Sequence, residues 1–429
     1  MSTQLNPKQQ YRKQLILEGI AGKLRNNEIA SRLYICRRQV QAIKARYKKD
    51  GDSVFIHGNT GKPSPNRIKD DTVNKIIAIK NETQNGQDLY DKVNFNHFAE
   101  IVRENYRIPV SRSAVYSIMN RAGFISPKKR KLKQMDKMHL LRPRKESFGE
   151  LVQADGSSFD WLSIGKRYCI QGFVDDAAGI PLGLYMTKNE CLSGYLEATR
   201  MMLINHGIPE QMYPDRSSIF FYNNQNKYAE DDGQKRLTQY GRIMKDLGVD
   251  MFPAYSPQAK GRIERFWQTI QSRLPVEFRI RGITTIEQAN AFLPVFMKLY
   301  AKRFGVQPLN ENTKFVKLTL ADINKLNELL AVKIKRKTDS SGVVSLFGNR
   351  FMIRDCIKKD VLISISEREG IFALTPKDNK KHKVELLEAN MQNTHFPDVY
   401  KQLVYNFFLK DAKGLRREIF SEDSYQSAG

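Results

Sequence analysis

Cysteine is scarce in this chain of 429 residues: Cys36, Cys169, Cys191 and Cys356 are the only four, and no two form a Cys-x-x-Cys pair. The six histidines do not cluster with them. This excludes a disulfide framework and a Cys/His zinc site, and it suits a reducing, intracellular compartment. Long apolar runs are missing as well. No stretch reaches the ~18 residues that cross a bilayer, and Ser2–Gln10 is polar where a signal peptide would be apolar. A membrane partner is therefore not expected. Internal repeats and low-complexity tracts are also absent. Acids are few beside bases: 46 Asp+Glu stand against 71 Lys+Arg, a net charge of +25.

That imbalance is uneven. Residues 1–150 hold 31 Lys+Arg and 14 Asp+Glu, a net of +17, whereas the remainder holds 40 and 32, a net of +8. A basic front half on a nearly balanced remainder points to a module that meets a polyanion, and double-stranded DNA is the partner expected. The length suggests two to four domains.

The front half reads as helices. Leu15, Ile16, Ile20 and Leu24 recur at helical spacing, then Asn27–Leu33 and Arg37–Lys44 flank a break at Tyr34-Ile35-Cys36. In the second stretch Val40 and Ile43 would face inward, while Arg37, Arg38, Gln41 and Lys44 would face outward. This is the layout of a helix-turn-helix, whose second helix reads base edges in the major groove; Gln39 joins that set. A glycine- and proline-rich linker follows from Gly51 to Pro65. Asn96–Val102 and Ser111–Met119 suggest a second unit of the same kind, with Ser111 or Ser113 capping its second helix, Gly123 ending it, and Arg112 and Tyr116 at the DNA. Residues 126–145 contain nine Lys+Arg and one acid, Asp136. Such a run is commonly just solvated, but between these units and the next region it suits phosphate tracking, with Lys128, Lys129 and Arg130 as contacts. The boundaries expected are 8–50 and 71–125 for the two units, 51–70 and 126–148 for the linkers.

From Glu150 the pattern changes. Leu151–Asp155, Arg167–Asp175 and Pro181–Met186 read as a strand meander, Leu192–Asn205 as a helix, Gln211–Pro214 as a strand, Gln234–Leu247 as a helix and Val249–Pro253 as a strand. Ser256 opens a further helix to about Arg273, and another runs from Thr284 to about Arg303. Together they predict an α/β core over 149–304, a mixed sheet with helices on both faces. Five short strands between Ala331 and Pro376 predict a small β-barrel over 330–378, followed by a tail over 379–429 with helical pattern near Val399–Leu409. The fold class is thus multidomain: all-α helix-turn-helix units, an α/β core and a barrel.

Three carboxylates in the core stand out. Asp155 lies in Val-Gln-Ala-Asp-Gly, Asp215 in Tyr-Pro-Asp-Arg, and Glu264 in Ser-Pro-Gln-Ala-Lys-Gly-Arg-Ile-Glu-Arg. Singly, each has an ordinary explanation: Asp-Gly is a turn signal, Asp215 after Pro214 suits a loop, and Glu264 could pair with Lys260. That pair, however, has lysine before glutamate, the weaker helical order. Acids from separate elements can converge on two divalent cations about 3.5–4 Å apart, which serve an in-line displacement at phosphorus. Lys260, Arg262 and Arg265 around Glu264 suit a site holding metal and phosphate together. Asp175-Asp176 ends the second strand and offers a spare carboxylate.

The stretch from Leu151 to about Leu274 resembles the integrase catalytic core of the retroviral integrase and DDE transposase superfamily. Ser256–Arg265, Asp215-Arg216-Ser217-Ser218-Ile219-Phe220 and Gln271-Ser272-Arg273-Leu274 resemble the ISNCY-type transposases of bacterial insertion sequences. The resemblance implies a ribonuclease H-like core, a catalytic and metal-binding triad of Asp155, Asp215 and Glu264, and two Mg²⁺ or Mn²⁺ ions per site. It also implies binding to terminal inverted repeats and target DNA, 3′-end cleavage with strand transfer, a homo-oligomer on DNA, and a nucleoid-associated place in the bacterial cytoplasm. The rival expectation is a DNA-binding regulator with an inactive core of the same fold.

Overall fold

The front helices form where the apolar spacing asked for them. The computed structural model describes residues 5–56, 67–84, 87–127, 143–221, 237–254, 260–346, 349–366, 368–376 and 380–388. The chain divides into two units, Met1–Ile76 and Ile77–Gly429. In the first, α1 (Pro7–Ile20), α2 (Asn26–Leu33) and α3 (Arg37–Asp50) surround Leu15, Ile16, Ile29, Ala30, Val40 and Phe55. Asn6 and Gln9 cap α1 reciprocally, satisfying two otherwise orphan amides. Tyr34 takes a left-handed conformation (φ 52°) and reverses the chain between α2 and α3. The expected helix-turn-helix is present. The stretch read as a linker begins inside it, because Gly51–Phe55 forms a 3₁₀ turn that buries Phe55.

Helix α4 (Asp70–Lys80), a short hairpin of β1 (Thr83–Gln84) and β2 (Gln87–Asp88), α5 (Phe95–Glu104) and α6 (Arg112–Arg121) come next. Ser111 caps α6 through the Ala114 amide, and Gly123 (φ 83°) ends it. Lys128, Lys129 and Arg130 lie outside the described residues, as does the tail pattern near Val399–Leu409.

The core sheet has five strands in the order β5-β4-β3-β6-β7. They are β3 (Leu151–Phe159), β4 (Tyr168–Asp175), β5 (Pro181–Thr187), β6 (Gln211–Tyr213) and β7 (Asp250–Met251). The first three form the antiparallel meander; β6 and β7 then run parallel to β3. Helices α7 (Leu192–Asn205) and α8 (Gln239–Asp246) cover the face bearing Val152, Ala154 and Phe173. The opposite face, with Ile170, Val174 and Leu184, is covered by α9 (Gly261–Gln271), α10 (Leu274–Ile280) and α11 (Ile286–Phe304). Gly183 allows α7 to press close, since a Cβ there would lie 2.1 Å from the Ala198 carbonyl oxygen.

After α12 (Leu320–Leu329), six antiparallel strands follow: β8 (Val332–Lys337), β9 (Val343–Leu346), β10 (Asn349–Ile353), β11 (Asp360–Ser366), β12 (Gly370–Leu374) and β13 (Lys381–Glu388). Their order is β8-β11-β12-β13-β10-β9. The two outer strands, β8 and β9, are consecutive and joined by a short turn, so the sheet curls into a near-closed barrel. Its strand β13, and helices α10 and α12, were not anticipated from the sequence. The proline near the start of α10 masked a helix that opens there.

Candidate active site

Alternation along β3 puts Gln153, Asp155 and Ser157 on one face. Helix α9 lies across that face through a ladder of polar contacts. The Ile263 amide donates to Gln153 Oε1 (3.1 Å), Lys260 Nζ to Asp155 Oδ1 (2.7 Å), Trp267 Nε1 to Asp155 Oδ2 (3.0 Å), and Gln271 Nε2 to Ser157 Oγ (3.0 Å). Positions 260, 263, 267 and 271 form one stripe of a helix. Glu264 stands in the first turn of α9, at the edge of that stripe between the two residues that grip Asp155, and its side chain is exposed.

Asp215 follows the strand that neighbours β3. Strand β6 pairs in parallel with β3 in the register Leu151–Gln211, Val152–Met212 and Gln153–Tyr213. The pairing ends at Tyr213, and Asp215 lies two residues beyond it, in the loop that follows β6. The Asp215 carboxylate also accepts from the Ser217 amide (3.0 Å), which holds the loop after β6.

A further acid stands at the start of α7. Glu190, just before α7, is an exposed residue whose Oε1 accepts the hydroxyl of the fully buried Tyr195 at 2.6 Å. Burial of the carboxyl raises its pKa, and the charges of Asp215 and Asp155 raise it further, against the Tyr195 hydrogen bond and Lys260. No sequence pattern marks Glu190; its one signal is a glutamate at the mouth of an otherwise apolar helix. The neighbouring Cys169 thiol is pushed up to about 12 by burial and by these acids, which keeps it protonated. Among the described residues, no three or more His, Cys, Asp or Glu side chains gather closely enough to hold a metal ion.

The spare carboxylates are structural. Asp176 is fully buried and bonds Arg262 Nε (2.9 Å), Gln153 Nε2 (2.8 Å) and the Lys145 amide (2.8 Å), anchoring the start of α9. Asp175 accepts from the Gly149 and Ala178 amides, and burial pushes its carboxyl up to about 6.

Residues expected at DNA fall into two groups. Arg37, Arg38, Gln41, Arg112, Tyr116 and Arg265 are exposed. Gln39 is exposed too, but its side chain turns back to accept the Cys36 amide at the start of α3. Lys44, read as facing outward, points inward instead. Its ammonium donates to the Gly19 carbonyl (2.7 Å) and to Asn26 Oδ1 (2.6 Å), closing the α1–α2 corner onto α3, and burial lowers its pKa. Lys260 and Arg262 likewise face the core, through Asp155 and Asp176.

No family model matches the chain. Two curated relatives do. The transposase for insertion sequence IS1202 of Streptococcus pneumoniae is 29% identical over 425 residues, covering 90% of this chain and 88% of the relative. The putative transposase y4bF of Sinorhizobium fredii is 32% identical over 340 residues, covering 78% of this chain and 70% of the relative. The chain belongs to this transposase family. Among solved structures, similarity extends to an intasome of simian T-cell lymphotropic virus (13% identity, 66% of this chain and 92% of that chain, TM-score 0.29). It extends also to the catalytic core of HTLV-2 integrase in complex with magnesium (14%, 34% and 84%, TM-score 0.26). At those scores neither superposition carries residue correspondences. No helix among the transposase's described residues is long and apolar enough to cross a membrane.

Proposed function

We propose that this chain is a DDE transposase of the ISNCY type, which binds the terminal inverted repeats of its own element, cleaves their 3′ ends and joins them to target DNA. The observation supporting the reading is the parallel pairing of β3, which carries Asp155, with β6, which Asp215 follows by two residues, together with Glu264 in the first turn of α9. Asp155, Asp215 and Glu264 would hold two Mg²⁺ or Mn²⁺ ions. By type these are hard carboxylate donors, and at Asp155 an ammonium stands where a cation is wanted, while the three carboxylates are not gathered around one point. When bound, such ions make a water or 3′-hydroxyl nucleophilic and steady the departing oxygen.

The chain's own residues supply the rest. Trp267 and Lys260 fix the two oxygens of Asp155, and Gln153 fixes the start of α9. Arg265, exposed beside Glu264, suits a scissile-strand phosphate. Arg37, Arg38, Gln39 and Gln41, with Arg112 and Tyr116, would read the element ends, and Lys128, Lys129 and Arg130 would follow the backbone. The proposed working parts are 8–50 and 71–125 for end reading, 149–304 for chemistry and 330–378 for phosphate or subunit contacts. Two ends cut in concert call for a homo-oligomer on DNA, working at the bacterial nucleoid.

The test is cleavage of a labelled element end with Mg²⁺. Asp155→Asn, Asp215→Asn and Glu264→Gln should each lower cleavage by about a thousandfold or more while end binding persists. Any one of them cleaving like the parent would remove that residue from the triad. A second reading, a DNA-binding regulator with an inactive core, draws on the exposure of Glu264 and the lack of a gathered metal cluster among the described residues. A parent protein that binds ends and never cleaves them would establish it.

A further inference from the structure

We propose that Glu100 is a positioning residue for end cleavage: it releases Arg112 to the element end and closes instead on Arg273, at the foot of α9. The inference rests on the reading above and adds how its two halves communicate. Glu100 lies in α5 and is buried, yet three guanidiniums meet on it. Arg112, the first residue of α6, donates to Oε1 at 3.1 Å. Arg273, between α9 and α10, donates through Nη1 to Oε2 at 2.6 Å and through Nη2 to Oε1 at 3.4 Å. Arg303, in the last turn of α11, donates to Oε2 at 2.9 Å and through its other terminal nitrogen to Glu104.

A guanidinium facing a carboxylate commonly makes two parallel bonds of about 2.7–2.9 Å. Arg273 makes one short bond and one far longer, and the long one ends on the oxygen that Arg112 also uses. Arg112 thus competes for half of the Arg273 fork. It is also the member of the cluster best placed to leave. Its side chain is 56% exposed, against 10% for Arg273 and 27% for Arg303. Arg273 is held further by the Phe304 ring, whose centre lies 4.8 Å from its guanidinium carbon. Charge favours the departure too: three guanidiniums share two carboxylates, Glu100 and Glu104, and without Arg112 the count is two to two.

Arg112 stands at the N-terminal end of α6, the part of a recognition helix that meets base edges. A phosphate oxygen or a guanine edge of the element end would draw it off Glu100. Oε1 is then free to close on Nη2, and the fork at the end of α9 becomes fully bidentate. Helix α9 carries Glu264 and holds Asp155 through Trp267, so closure of the fork acts on the proposed triad through one helix. By linkage, end binding firms α9, and a firm α9 favours end binding.

The test follows hydrogen exchange in the full-length chain at the amides of Arg273, Val276 and Glu277, which bond across this corner. No divalent ion is added, so no cleavage intervenes. A duplex carrying the element end should slow their exchange about fivefold or more in the parent, the low end of ordinary coupling between sites. Arg112→Ala removes an exposed side chain. It should show the slow exchange before any DNA is added, and the duplex should slow it no further. Glu100→Gln should bind the end like the parent, keep fast exchange, and in Mg²⁺ cleave saturating ends about fivefold more slowly. A merely structural Glu100 would lower stability without separating rate from binding. End binding with no slowing in the parent, or equal slowing in the parent and both variants, would overturn the relay and leave the triad and the end readers standing. Should Glu100→Gln misfold, the DNA-free comparison of Arg112→Ala with the parent decides: equal exchange in the two sinks the competition for Arg273. A parent that binds no end duplex overturns the end-reading assignment, and the release of Arg112 to DNA with it.

Discussion

The two helix-turn-helix units look alike in outline and differ in what holds them. Each reverses its chain on a non-glycine residue with positive φ, Tyr34 (52°) in one and Arg107 (53°) in the other. Each second helix carries exposed polar side chains. The first unit closes on a private core, Leu15, Ile16, Ile29, Ala30, Val40 and Phe55, and its ion pair Lys13–Asp52 lies at the surface. The second is bolted to helices α9, α10 and α11. Glu100 of α5, 3% exposed, accepts from Arg273 (2.6 Å) at the α9–α10 corner, from Arg303 (2.9 Å) at the end of α11 and from Arg112 (3.1 Å) at the start of α6. His97 reaches Glu277 of α10 at 2.9 Å. One helical unit is therefore self-contained, and the other is built against α9, α10 and α11. The same motif can serve as a separate hand or as a fixed template.

The largest effect expected from this contrast follows Glu100→Ala. It strands Arg273 without its partner in the fold and should destabilise the larger unit by about 3–5 kcal/mol in a denaturant titration. An unchanged midpoint would mean that α5 is no part of the core. Acid should act next in size. Burial alone would raise the carboxyls of Glu100 and Glu277, but the hydrogen bonds and charges of Arg273 and Arg303 on the first, and of His97 and Arg281 on the second, outweigh it and lower both below their ordinary 4.5. Their folded-state pKa is depressed, so the stability they contribute is complete above pH 4.5 and is lost as pH falls through the folded values. Melting of the second unit should fall across that acid range, and Glu100→Gln should flatten the fall. An acid response unaltered by Glu100→Gln would contradict it. The smallest effect belongs to Lys13→Ala, whose exposed pair should leave the first unit's melting temperature where it was. A clear drop would show that this unit also leans on its charges.

Much of this was legible in the sequence because it is local. Helix α7 and strands β9 and β10 fall where their apolar patterns predicted, and the turn at Tyr34-Ile35-Cys36 separates α2 from α3 as read. What could not be read is pairing. Nothing in residues 151–155 or 211–215 announces a shared register, because strand neighbours are chosen by the whole sheet. The inward turn of Lys44 and Lys260 escaped for a related reason: a lysine looks like surface until a carbonyl or carboxylate across the fold claims its ammonium.

The Lys260–Asp155 pair has a bearing on how the protein lives before it works. A chain that brings its own counter-ion has no need of magnesium in order to fold, and a chelator should leave its melting curve untouched. For the proposed chemistry, ions then arrive late, and Lys260 must find another anion as they settle. An incoming phosphodiester is such an anion, so the arrival of DNA and the loading of the site would each ease the other. A stray transposase far from DNA would stay idle by simple charge balance.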